Sequence, residues 1–139
     1  DFVGIVDPRV RDARAKVYPD IEELLSQGID YCVVAAPTVF HESIGLRLAA
    51  AGVHALIEKP LAPDTISAAR LAEAFEGAGL IGAVGHVERF NPALRQARSR
   101  MENGELGSIL QIATRRQVHF HRASLMWALS WILRPTTSI

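Results

Sequence analysis

The residues best suited to chemistry stand where short apolar runs end. Ala55, Leu56 and Ile57 lead directly into Glu58, Lys59 and Pro60. A buried strand has no ordinary use for a charged pair at its carboxyl end, which is where an open α/β sheet binds ligands. There a lysine can lend positive charge to a developing alkoxide, or pass a proton if burial lowers its pKa. Glu58 can orient it, and Pro60 fixes the backbone beyond, an X–Pro bond at such a place being open to the cis form. The plainer alternative is a solvated strand end. Asp7 follows the apolar run 2–6, and an acid so placed accepts hydrogen bonds from ribose hydroxyls; the alternative is a turn-forming Asp before Pro8. Ala36, Pro37 and Thr38, with His41, mark another strand-to-helix turn, where free helix N–H groups favour a phosphate or ribose. A lone histidine there is also a common surface residue. Finally, residues 85–92 offer His86, Arg89 and Asn91 as a polar, cationic wall for a hydroxylated or phosphorylated substrate. The same stretch also reads as the start of a helix with Pro92 in its first turn.

These groups need elements to hold them, and the sequence supplies alternating strands and helices. Strands are predicted over 2–6, 31–36, around 55–57 and over 80–84. Asp20 and Glu23 have capping-box spacing and open a short helix that Gly28 stops. A second helix spans His41 to Ala51, with Ile44, Leu48 and Ala51 on its apolar face and Gly52 as its stop. Asp64 caps a third, with Ile66, Ala69, Leu71 and Phe75 on the apolar side and Gly77 and Gly79 at its end. Pro92 to Met101 reads as a polar helix before an Asn103-Gly104 turn. Residues 109–115 alternate apolar and polar, as a half-buried strand does. The connections are short enough for right-handed crossovers, so the fold class is α/β, a doubly wound parallel sheet.

Composition narrows the function. The 139 residues are 49% hydrophobic, enough for one domain with a real core. Fifteen basic and fifteen acidic residues balance to zero, which suggests neither a nucleic-acid nor an anionic-membrane partner. The single cysteine, Cys32, excludes an internal disulfide and reads as a small core residue in a reducing compartment, rather than a reactive thiol. No run reaches the roughly 18 apolar residues of a membrane span. The chain opens on Asp1 without a methionine and almost at once enters a strand, so it reads as a fragment.

Taken in order, these residues resemble the Gfo/Idh/MocA oxidoreductases, the glucose–fructose oxidoreductase and inositol dehydrogenase family. Residues 33–41 look like that family's strand, turn and histidine. Residues 53–60 resemble its Glu-Lys-Pro strand, and 85–92 its substrate-side loop. Residues 104–109 resemble the start of its C-terminal sheet domain. The resemblance runs from Phe2 to Gln117. It implies a Rossmann domain (1–106) binding NAD or NADP, then a substrate and dimerisation domain whose first strand lies in 107–117. The implied reaction is hydride transfer between a sugar, nucleotide-sugar or cyclitol hydroxyl and the nicotinamide, in a cytoplasmic homo-oligomer associating through the C-terminal sheet. On this reading Lys59 is the catalytic or substrate-positioning lysine. Asp7, Ala36, Pro37, Thr38, His41, Glu58, Lys59 and Pro60 border the cofactor, and Lys59, His86, Arg89 and Asn91 the substrate. Asp7 points to NAD, while Arg9 and Arg11 leave room for NADP. The form of the substrate loop is close to that of members acting on nucleotide-linked amino sugars.

The chain departs from the family plan at both ends. The first strand and the glycine-rich phosphate loop are missing before Asp1, making the Rossmann sheet incomplete. After Gln117 the family's texture stops. Met126 and Trp127 have one codon each, so a neighbouring reading frame places a valine there. Codon choices for the rest give PFPSRV, one undetermined residue, then DVGVVLDLAAHDID, which resembles the family's Asp-x-x-x-His segment. Residues 118–139 are therefore expected to be a frameshifted tail, and the fragment itself to be inactive. His119 and His121 alone do not make a metal site, and no metal is expected. Residues 125–133, with Trp127 and Trp131, could otherwise form a partner helix too short to span a membrane. Two other functions stay open: a non-catalytic dinucleotide- or sugar-sensing module, and a receiver-like domain, the latter disfavoured by Pro37-Thr38 where a phosphoacceptor acid belongs.

Overall fold

Two helices begin where a carboxylate side chain accepts a backbone N–H that the helix leaves unpaired. The structure, a computed structural model, describes residues 2–8, 10 and 15–115. Asp20 accepts from the Glu23 N–H at 2.9 Å and starts α1, Ile21–Leu25. Asp64 accepts from the Ser67 N–H at 2.8 Å and starts α3, Thr65–Gly77. Between them α2 runs from His41 to Ala50, after a 3-10 turn over Thr38–Phe40. Gly28, Gly52 and Gly79, each just past a helix, take positive φ angles that other residues adopt only with strain. α4, Pro92–Glu102, has no buried residue, as a polar helix should.

The strands are β1 (Ile5–Val6), β2 (Val17–Tyr18), β3 (Tyr31–Val34), β4 (His54–Ile57) and β5 (Gly82–Val84). All pairs are parallel: β1 with β2, β3 with β4, and β4 with β5. This is the α/β, incomplete Rossmann arrangement predicted from the sequence. The two ladders are separate, and the break has a physical reading. In the doubly wound order 3-2-1-4-5-6, β2 and β1 occupy the places of strands 3 and 2, and β3 to β5 those of strands 4 to 6. The break falls where strand 1 would stand.

One face of the larger ladder carries the core. Val34, Ala55 and Ile57 from the strands meet Leu48, Ala49, Leu71 and Phe75 from α2 and α3, and α1 adds Ile21. Burying Leu48, Ile57 and Leu71, each at most 2% exposed, contributes about 1.5–3 kcal/mol apiece. Close approach needs small residues: a side chain on Gly45 would run into Leu71 and Ile57, and one on Gly82 would press on Phe75. The opposite face is bare among the described residues, with Tyr31, Val33, Leu56 and Ile81 exposed.

Several expectations need correction. β2 lies between the first predicted strand and the Asp20 cap, where no strand was predicted. The buried side of α2 is His41, Gly45, Leu48 and Ala49; Ala51 is outside the helix and exposed. On α3 the buried residues are Ser67, Leu71 and Phe75, whereas Ile66 and Ala69 face solvent, because the row at i, i+4 and i+8 through Leu71 and Phe75 is the one that packs on the core. The strand predicted over 109–115 does not form: these residues are exposed, and no described strand offers them a ladder. The chain divides into two compact units, Asp1–Gln96 and Ala97–Ile139, a boundary inside α4 and ahead of Leu106. In the second unit, Arg98 pairs with Glu102 at 2.7 Å and Arg100 with Glu105 at 2.9 Å. Arg9, Arg11 and the tail from Val118 with its histidines lie outside the described residues.

Candidate functional site

The candidate groups stand just beyond the carboxyl ends of the parallel strands. Glu58 continues β4, its N–H bonded to the Val34 carbonyl at 2.9 Å. Its side chain is half-buried and curls back, so that Oε2 accepts the Lys59 N–H at 3.1 Å. The Lys59 side chain is exposed. The Lys59–Pro60 bond is cis, as the sequence allowed. The Glu58 carboxylate lies against Gly85 at the end of β5: a Cβ there would meet its carbon and oxygens at 3.0–3.1 Å. Gly85 is buried and donates its N–H to the Ile57 carbonyl at 2.8 Å, which ties the two strand ends together.

Ala36, Pro37 and Thr38 form the half-buried turn after β3. His41, expected on the ligand side, is instead 1% exposed. Its Nε2 lies 2.8 Å from the Ala36 carbonyl oxygen. Its Nδ1 lies 3.0 Å and 3.2 Å from the carbonyl oxygens of Pro60 and Leu61. The ring thus faces the chain's own backbone.

The substrate-side residues occupy a 3-10 turn, Val87–Phe90, and its flanks. His86 and Arg89 are exposed. Asn91 is committed to holding the turn: its Oδ1 accepts the Ala93 N–H at 3.0 Å and its Nδ2 donates to Glu88 at 2.9 Å. Asp7 stands half-buried after β1, on the other ladder.

Hydrogen bonds and packing therefore bring Ala36, His41, Glu58, Lys59 and Pro60 together, with Gly85 leading into His86. Asp7 belongs with the other ladder. The sequence reading missed Gly85 and the Leu61 carbonyl. A glycine directly after a strand, one residue before a candidate histidine, was the available signal for the first. Burial raises the Cys32 thiol above its ordinary range, which suits a packing role rather than a nucleophilic one. Among the described residues no cluster of His, Cys, Asp and Glu could hold a metal, and no helix is long and apolar enough to cross a membrane.

A sequence search finds UDP-N-acetylglucosamine 3-dehydrogenase of Acidithiobacillus ferrooxidans, 33% identical over 87 residues, 63% of this chain and 28% of that protein. Inositol 2-dehydrogenase of Corynebacterium glutamicum (strain R) is 32% identical over 100 residues, 70% of this chain and 30% of that protein. Among solved structures, the WlbA dehydrogenase from Bordetella pertussis, in complex with NADH and UDP-GlcNAcA, superposes with a TM-score of 0.64 at 30% identity. That superposition covers 68% of this chain and 28% of the other. The match thus spans less than a third of these relatives' length. The sequence profile described as "Oxidoreductase family, NAD-binding Rossmann fold" matches residues 2–86, most of the chain, and with the parallel ladders and the strand-end groups it makes this chain a member of the Gfo/Idh/MocA oxidoreductase family.

Proposed function

We propose that this chain carries most of the cofactor-binding half of a cytoplasmic NAD(P)-dependent dehydrogenase. The substrate is a sugar, nucleotide sugar or cyclitol with an oxidisable hydroxyl. The observation that carries the proposal is the Glu58–Lys59 pair at the end of a parallel strand, with Gly85 leaving room for the Glu58 carboxylate. The residues present fit a dinucleotide. Asp7 offers a ribose acceptor after β1. Ala36, Pro37 and Thr38 supply a small, half-polar turn after β3, and Glu58 and Pro60 continue the wall after β4. When bound, the nicotinamide supplies hydride transfer.

This chain's own residues bind, orient and move a proton. The exposed Lys59 stabilises the substrate oxygen as its proton leaves when it is an ammonium, or, as the neutral amine, takes that proton itself. Glu58 holds the Lys59 backbone through its N–H. His86 and Arg89 offer donors to a polyhydroxylated or phosphorylated substrate, and Asn91 keeps their turn in shape. Turnover is expected only from the full-length protein, which adds the phosphate loop and an Asp-x-x-x-His segment and associates as a homo-oligomer through its C-terminal sheet.

The test is Lys59→Met in the full-length protein, assayed with a nucleotide-linked amino sugar and with an inositol. We expect kcat to fall by about 10²–10⁴-fold while the Kd for NADH stays nearly unchanged. Equal losses in both would reduce Lys59 to a binding role. Tight cofactor binding without turnover in the unmutated protein would favour a sensing module instead.

A further inference from the structure

We propose that His41 is a positioning residue that fixes the backbone carrying Lys59, and does not bind the cofactor. The proposal rests on the catalytic role given to Lys59 above. His41 is the first residue of α2, a place where a polar side chain would ordinarily reach solvent, yet it is as buried as Leu48, Ile57 and Leu71. Ligand contact needs a free ring nitrogen, and neither is free. Nε2 is 2.8 Å from the Ala36 carbonyl oxygen, in the turn after β3. Nδ1 is 3.0 Å and 3.2 Å from the Pro60 and Leu61 carbonyl oxygens, in the turn after β4.

Those carbonyls lie past the last ladder residues, Val34 and Ile57, where strand pairing no longer holds the chain. His41 supplies the missing cross-link. It ties the two turns together through one rigid ring, and Pro60 is the immediate neighbour of Lys59. Each side offers the ring acceptors only, so a ring with one N–H serves one side at a time and a ring with two serves both. On the far flank, the Glu58 carboxylate binds the Lys59 N–H beside Gly85. The backbone at Lys59 is thus held from both directions, and its side chain is left to the ligand.

Asparagine and glutamine separate the two halves of the tie. The amide nitrogen of Asn reaches about where Nδ1 lies, and that of Gln about where Nε2 lies. His41→Asn therefore keeps a donor for Pro60 and Leu61, and His41→Gln keeps only the one for Ala36. In the full-length protein we expect His41→Gln to lower kcat about tenfold or more, because small misplacements of a reacting group are costly. His41→Asn should restore most of that loss, and NADH affinity should be similar in both. Equal turnover in the two variants, or losses that only track the folded fraction, would overturn the proposal. So would a marked loss of NADH affinity in both, since that marks a cofactor ligand. The Lys59→Met control separates the levels. If it keeps full turnover, the role of Lys59 and this proposal fall together. If it loses turnover while His41→Gln does not, only this proposal falls. A measurement on the unmutated protein covers variants that fail to fold: the imidazole N–H of His41 should exchange slowly with water by NMR, and exchange as fast as in a free histidine would refute the burial on which the tie depends.

Discussion

Gly85 has an ordinary backbone conformation, so its lack of a side chain is a matter of space. Two effects oppose each other when it is replaced. An alanine would restrict the unfolded chain and gain about 0.5–1 kcal/mol. It would also set a Cβ 3.0 Å from the Glu58 carboxylate, and moving that carboxylate aside gives up its bond to the Lys59 N–H, at a cost of about 1.5–3 kcal/mol for a charged acceptor. Crowding should win, so Gly85→Ala destabilises in urea unfolding. In a Glu58→Ala background the obstacle is gone, and the same change should become neutral or stabilising. Additive effects would show that the two do not press on each other. At this scale the site was half legible. Glu58, Lys59 and Pro60 stand out because charge and proline so rarely end an apolar run. The role of His41 was hidden because the carbonyls on Nδ1 come from 19 and 20 residues away. Local sequence cannot show that the chain returns there.

Helix starts were the most legible elements, because capping is a local transaction between a carboxylate and an N–H three residues on. The Ser67 N–H, aided by the Ser67 hydroxyl, the Ile66 N–H and Arg70, holds the Asp64 carboxyl below the usual range. A carboxyl lowered in the folded state stabilises above its unfolded pKa of about 3.9 and loses that contribution as pH falls through the folded value. Asn is an equally good cap but does not titrate. Asp64 should therefore outperform Asp64→Asn in Tm at neutral pH, and the gap should close as pH falls through the lowered folded-state value of the carboxyl. A gap constant with pH would mean the charge is irrelevant. Helix faces were less legible than helix ends. Ile66 and Ala69 looked like core beside Leu71 and Phe75, but the face that packs is the row four residues apart, which takes Ser67 in and leaves Ile66 and Ala69 out. The two-residue β2 carries too little pattern to read at all. Residues 109–115 have a strand's alternation, but a strand exists only against a partner.

Across the first compact unit, the sheet is dry on one side and wet on the other, and two isoleucines measure the difference. Ile57 is 2% exposed and Ile81 68% exposed. Truncating the first, Ile57→Ala, should cost about 2–5 kcal/mol. Truncating the second, Ile81→Ala, should stay within about 0.5 kcal/mol, read from urea midpoints at several protein concentrations. Comparable costs would mean that the bare face is covered in solution. A doubly wound sheet normally hides both faces, and the fold class was legible because strand and helix alternate so regularly. Which face would be left open was not, since that depends on the chain order of strands rather than on their residues.

That order has a consequence for how a ribosome delivers the molecule. β3, β4 and β5 stand side by side in the sequence in which they are synthesised. Each new strand emerges next to the one before it, with its crossover helix already made, so the three-stranded ladder can assemble while translation continues. The break between β1 and β3 is different. There no described ladder joins the strands, so neither set templates the other as it is made. Nascent chains should therefore gain the β3–β5 layer as one unit, without waiting for it to join the β1–β2 pair.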